Sequence, residues 1–155
     1  MIKVVSKIMI NSSAKKVWSV ISEIQRDPYF WKGMSRVRTV YKNGNTMTRQ
    51  VTLANSEKCS QKIILFPIEG IHIRWTKGMI TGTKDILITQ IGTQTLLEVE
   101  MNYEFHGIAQ IRSRSISEEL RNEAELAVQL IKEEIEKTPA FQTEDRKQWA
   151  DLIHE

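Results

Sequence analysis

The histidines that could move a proton or hold a metal ion are few and scattered. His72, His106 and His154 stand far apart. None falls in the H-x-x-x-H or H-E-x-x-H spacing that sets two ligands on one helix face. His72 and His106 lie on the polar side of alternating stretches, so they are expected in water, and no metal or cofactor is expected. A lone cysteine, Cys59, rules out an intrachain disulfide and a cysteine-based cluster. It sits in a strand-like stretch, where a thiol is more often a small core residue than a nucleophile. No G-x-S-x-G elbow exposes a serine, and no Gly-rich loop runs into a helix to cradle phosphates.

What remains is Arg49, with Gln61, Tyr41 and Tyr103. Arg49 and Gln61 fall on the apolar side of their stretches. An arginine in a greasy pocket could hold a carboxylate or an enolate oxygen, and a tyrosine hydroxyl could polarise a carbonyl. The competing reading is that a β-bulge slips the parity and turns Arg49 to water. Arg49 and two tyrosines do not by themselves define an enzyme.

The elements that must position these residues are legible as periods. Ile116, Leu120, Ala124, Ala127, Ile131 and Ile135 recur at steps of three and four, one apolar stripe of a long helix over 115–137. Ser115 with Glu118 fits a capping box, and Pro139 stops the run. At the other end, residues 2–10 read as a strand and Asn11-Ser12-Ser13 as a helix cap. A helix from Ala14 to Ile24 then buries Val17, Val20, Ile21 and Ile24. Asp27-Pro28 ends this helix or starts a short second one, and Tyr29, Phe30 and Trp31 crowd into one turn.

From Val37 the period becomes two. Val37, Thr39 and Tyr41 oppose Arg36, Arg38 and Lys42. Asn43-Gly44 signals a hairpin, because both residues tolerate positive φ. Strands follow over 46–53, 59–66, 71–76, 80–91 and 95–106. The last is the clearest, with Leu97, Val99, Met101, Tyr103 and Phe105 against Glu98, Glu100, Asn102, Glu104 and His106. Short turns between consecutive strands demand an antiparallel sheet. The sheet's apolar face and the helix stripe must meet, so the class is α+β.

The length of 155 residues suits one domain, here 1–137, with a tail at 138–155. In that tail Trp149, Leu152 and Ile153 are spaced for a short extra helix. No apolar run approaches the ~20 residues of a bilayer span, and Lys3 and Lys7 interrupt the first stretch. No stable membrane insertion and a cytoplasmic location are expected. The net charge of +3 is mild and mixed in sign, unlike the one-faced charge of nucleic-acid binders, so no nucleic-acid partner is expected. Arg112, Arg114 and Arg121 form the best local phosphate candidate, against the simpler reading of a solvated helix entrance.

Three stretches carry a resemblance. Residues 8–18, ending Val17-Trp18, resemble the strand, polar turn and helix that open the START/Bet v 1-like superfamily. Asp27 to Trp31 resembles its short second helix. Gly78 to Lys84 resembles the Gly-containing hairpin before the last strands, with Lys84 where many members have an aromatic residue. The polyketide cyclase/dehydrase-like branch is the most similar, over about residues 2–137.

The resemblance implies a helix-grip fold, in which a curved seven-stranded antiparallel sheet wraps a long C-terminal helix, with two short helices after the first strand. It also implies a pocket between sheet and helix. Strand parity and the helix stripe then nominate Ile63, Ile73, Trp75, Val99, Met101, Tyr103, Ala124, Ala127 and Ile131 as lining one enclosed volume. Arg49 and Tyr41 are the polar candidates and Trp31 the gate. Ala124 and Ala127 either leave volume or let the helix approach the sheet closely.

Two functions fit such a pocket: binding of a small hydrophobic molecule such as a lipid, quinone or polyketide-like compound, or cyclase/dehydratase chemistry on one. The number of ionisable groups lining the cavity separates them, since an enzyme needs at least an acid–base pair. A chaperone-binding module would need an apolar outer sheet face, against which the polar parity of 95–106 argues. Oligomeric state is not legible.

Overall fold

The computed structural model describes residues 1–107 and 113–137. The expected tail helix with Trp149, Leu152 and Ile153 lies outside them, as do His154, Arg112 and the side chain of Arg114.

Strand β1 (Ile2–Ile10) leads into helix α1 (Ala14–Ile21). The Ser13 side chain caps α1 by accepting from the Lys16 amide at 3.2 Å. The helix stops at Ile21, three residues short of the expected end. A 3-10 turn, Ile24–Arg26, and a four-residue helix α2 (Asp27–Phe30) follow. Pro28 sits in the first turn of α2, where a missing N–H costs nothing.

Six strands then run in order: β2 (Met34–Asn43), β3 (Thr46–Leu53), β4 (Lys58–Phe66), β5 (Gly70–Lys77), β6 (Ile80–Ile91) and β7 (Gln94–Phe105). All pairings are antiparallel, and the spatial order is β1-β7-β6-β5-β4-β3-β2. Five pairings are between neighbours in sequence. The sixth joins the two ends of the sheet segment, with Ile2 opposite Tyr103. Helix α3 (Ser113–Lys137) closes the fold. It begins two residues before Ser115, which therefore sits inside the helix and not at its cap.

Parity predicts the inner face well. Val99, Met101 and Tyr103 are buried. Glu100 and Glu98 point outward, meeting Lys3 at 3.0 Å and Lys7 at 3.7 Å across β1–β7. The stripe of α3 is buried at Leu120, Ala124, Ala127, Ile131 and Ile135, with Val128 added and Ile116 half-buried. The seven-stranded sheet, the long helix and the two short helices after β1 are the helix-grip architecture.

Tyr41 departs from expectation. It is 60 % exposed, because β2 is bulged between Thr39 and Tyr41. Thr39 still opposes the inward Arg49, but Tyr41 opposes the outward Thr48. One inserted residue moves every later side chain to the other face. Tyr41 is removed from the site.

Ala124 and Ala127 are fully buried, and neither lines the cavity described below. Their small size permits close helix–sheet approach. Ala127→Trp should therefore overpack the interior and lower stability by at least ~1–3 kcal/mol. A thermal melt checks this, and an unchanged melting temperature would mean open space under that turn of α3.

Candidate ligand-binding site

A cavity of about 710 Å³ lies between the sheet and the first half of α3. Trp75 from β5, Ile80 and Lys84 from β6 and Tyr103 from β7 form its sheet wall. Met34 and Leu53 close one side, and Ile116, Leu120 and Glu123 hang from α3. The rim is polar, with Asn55, Glu57, Ser115, Glu119 and His106.

Of the residues expected to line one enclosed volume, Trp75 and Tyr103 line this cavity. Ile63, Ile73, Val99, Met101, Ala124, Ala127 and Ile131 are all buried, but they belong to the packed core and are absent from its wall. The reason is position along the helix. The cavity sits beside the N-terminal turns of α3, whereas Ala124, Ala127 and Ile131 belong to the later turns. Trp31, the expected gate, is only 1 % exposed and plugs the interior with Phe30. Tyr29 is the exposed ring of the three.

Arg49 does point inward, at 1 % exposure, yet each of its three nitrogens is committed to a partner inside the protein and it is absent from the cavity wall. Its Nη2 donates to Asp27 Oδ2 at 2.7 Å, its Nη1 to the Ile24 carbonyl at 3.0 Å and its Nε to Gln61 Oε1 at 2.8 Å. It pins the segment leading into α2 onto the sheet and does not line the cavity. Gln61 Oε1 is thereby fixed, and its Nε2 is left without a partner. The expected ligand role of Arg49 is withdrawn on this geometry.

Lys84 takes the place that Arg49 was given. It is 1 % exposed and lies on the cavity wall. Its ammonium stands 3.6 Å from the centroid of the Trp31 ring, a cation–π contact that offsets part of the lost hydration. Among the described residues it forms no ion pair or hydrogen bond. Burial brings the amine down to about 8, against the pull of Asp27 and Glu123, with Arg49 adding to the fall. Its signal was in the sequence: Ile80, Gly82, Lys84, Ile86 and Ile88 share one parity, and Lys84 is the charged residue among them.

Trp75 and Tyr103 meet over Gly82. Trp75 opposes Gly82 on one side and Tyr103 opposes it on the other. With no side chain between them the rings pack edge to face, centroids 5.8 Å apart. The Trp75 indole N–H reaches no acceptor. Burial pushes the Tyr103 phenol up, Glu123 adds to this, and the nearby Trp75 N–H and Arg49 oppose it. The Trp75 N–H lies near the phenol without forming a hydrogen bond to it.

Glu123 is held from the far side. The Gly33 amide donates to its Oε1 at 3.0 Å. A Cβ on residue 33 would lie 2.6 Å from that oxygen, so glycine is what lets the α3 carboxylate reach the backbone. Cys59 is buried away from the cavity, and burial raises its thiol above the ordinary value. It is therefore not an activated nucleophile. Among the described residues no group of His, Cys, Asp or Glu is arranged to hold a metal ion.

No family model matches the sequence, and no curated protein matches it. Solved structures do match the fold. A protein from Thermus thermophilus superposes with a TM-score of 0.75 at 9 % identity, over 86 % of this chain and 96 % of that one. The Zhui aromatase/cyclase from Streptomyces sp. R1128 gives 0.71 at 11 % identity, over 87 % and 93 %. A START superfamily protein from Mycobacterium smegmatis gives 0.58 at 15 % identity, over 81 % and 95 %. The fold is the helix-grip fold, shared with this START superfamily protein and with the aromatase/cyclase. Among the described residues no helix is long and apolar enough to cross a membrane.

Proposed function

We propose that this chain binds a small hydrophobic molecule, of lipid, quinone or polyketide-like type, in the cavity between the sheet and α3, and that it works in the cytoplasm. The observation that supports this is the cavity itself. Its volume of about 710 Å³ falls in the range of ~300–1,000 Å³ usual for ligand sites. Met34, Leu53, Ile80, Ile116, Leu120 and the two rings supply apolar wall, with few polar groups deep inside. The likeness of fold to START and aromatase/cyclase proteins agrees with such a ligand and names none.

Uptake of a fluorescent apolar probe by the purified protein tests the proposal. Ala54 lies at the exposed mouth of the cavity. Ala54→Trp should weaken uptake about tenfold or more by occupying the entrance, while the melting temperature stays within a few degrees, because an exposed substitution disturbs little packing. No uptake by the wild type at micromolar protein would remove the proposal.

A second reading is catalysis of cyclisation or dehydration. One observation favours it: Lys84, Tyr103 and Glu123, three titratable groups, line the same cavity. A lysine titrating near 8 is suited to proton transfer at neutral pH. Turnover of a polyketone mimic that disappears on Lys84→Met would establish this reading, and absence of turnover alongside tight binding would leave the carrier.

A further inference from the structure

We infer that the ligand's polar end is a carboxylate, seated deep in the cavity against the Lys84 ammonium, with the Trp75 N–H and the Tyr103 hydroxyl as further donors. This rests on the reading of the cavity as a ligand site and names the chemical class that it takes.

The wall carries donors that the protein itself leaves unanswered. Lys84 is buried and its ammonium meets only the Trp31 ring. The Trp75 indole N–H is buried without an acceptor, with the Tyr103 phenol beside it. Buried donors are nearly always satisfied. A group that brings acceptors and one negative charge answers the Lys84 ammonium and the Trp75 N–H at once, with the Tyr103 hydroxyl beside them. Glu123 does not already fill this role, because its Oε1 is drawn to the Gly33 amide and no ion pair with Lys84 forms.

The charge count favours a carboxylate over a phosphate. Asp27 and Glu123 both act on Lys84, so a dianion beside them would meet repulsion that one lysine does not offset. Depth sets the orientation. Lys84 is 1 % exposed, so the head enters first, and the chain runs back past Ile80, Leu120, Ile116 and Phe105 toward the rim. A lipid whose charge lies between two chains cannot present it at the buried Lys84.

The charged and titratable groups acting on Lys84 are Asp27 from α2, Glu123 from α3 and Arg49 from β3, with the Tyr103 phenol on the same wall. Lys84 is the one brought to about 8, and the phenol is moved upward, out of the way. Carboxylate affinity should therefore be full at neutral pH. It should fall as pH rises above about 8, with the bound anion shifting the midpoint upward because it favours the charged amine.

The experiment compares dansylamino-undecanoic acid with its methyl ester, which keeps the chain and removes the charge. Wild type at neutral pH should bind the acid roughly tenfold more tightly, the scale of one charge-assisted contact. Lys84→Met should lose that preference and still bind the ester. In the wild type alone, the preference should fade as pH is raised from 7 to 10, which decides the matter even if Lys84→Met fails to fold. Equal affinity for acid and ester across that range, with both bound, would overturn the carboxylate anchor and leave the pocket standing. Binding of neither probe would overturn the pocket and the anchor together.

Discussion

Arg49→Met should lower stability by about 3–5 kcal/mol, the scale for removing one partner of a buried ion pair. The substitution keeps bulk and deletes three hydrogen bonds. The Asp27 carboxylate, the Gln61 Oε1 and the Ile24 carbonyl are then left inside without their donor. Water cannot easily replace it, since Arg49 and Gln61 are buried to within 1 %. In a chain of this size that loss is on the order of 10 °C in melting temperature. The segment from the 3-10 turn through α2 should be the part that loosens, read as faster hydrogen exchange at Trp31, whose amide bonds to the Asp27 carbonyl at 2.7 Å. Probe binding per folded molecule should survive, because Arg49 lies off the cavity wall. A mutant that melts like the wild type but no longer binds the probe would reverse the assignment and return Arg49 to the ligand.

Gly82→Ala should cost more than about 2 kcal/mol, although it adds one methyl group. Gly82 has φ of +120°, a conformation that L side chains rarely adopt. A Cβ there would lie 1.9 Å from the Asn102 carbonyl oxygen on the adjoining strand. That oxygen is backbone, so relief requires β6 and β7 to move apart. The change should also disturb the Trp75–Tyr103 contact that spans this position. Denaturant melts and amide exchange in β6 and β7 check the result. Stability within about 0.5 kcal/mol of wild type, the ordinary range of a surface change, would show that the strand tolerates a side chain here.

Most of the fold was legible because strand parity is a strict signal. The boundaries of β6 and β7 agree with expectation to within about one residue, and the turns at Gly44 and Gly92 fall where glycine stands. The errors come from places where one residue alters the count. The bulge in β2 sends Tyr41 outward, and neither Thr39 nor Val40 announces it. Of the two readings open for Arg49, the structure takes the inward one, but not the ligand role. Parity tells which way a side chain points, whereas its partners, Asp27 and the Ile24 carbonyl, come from a distant turn that parity does not address.

The cavity was harder still. Which buried residues face empty space and which face one another depends on how far along α3 the helix diverges from the sheet. Local spacing does not encode that distance. Lys84 could have been found, since a lysine on the parity of Ile80, Ile86 and Ile88 has to be either paired or functional. Its register between Ile73 and Met101 follows from the same alternation.

The pairing of β1 with β7 has a consequence for how the chain reaches this state. Strands β2 to β7 can zip up one hairpin at a time, each closing a short loop. The edge at β1 waits for residues near position 103, because Ile2 has no other strand to join. Closing so long a loop is entropically costly and slow relative to hairpin formation. Helix α3 packs chiefly on β1, so it too lacks its main support until that strand arrives. During synthesis the first strand must therefore remain unpaired while the middle of the sheet assembles. Lys3 and Lys7 lie on it, and charges of that kind hinder its pairing with a second unfinished copy.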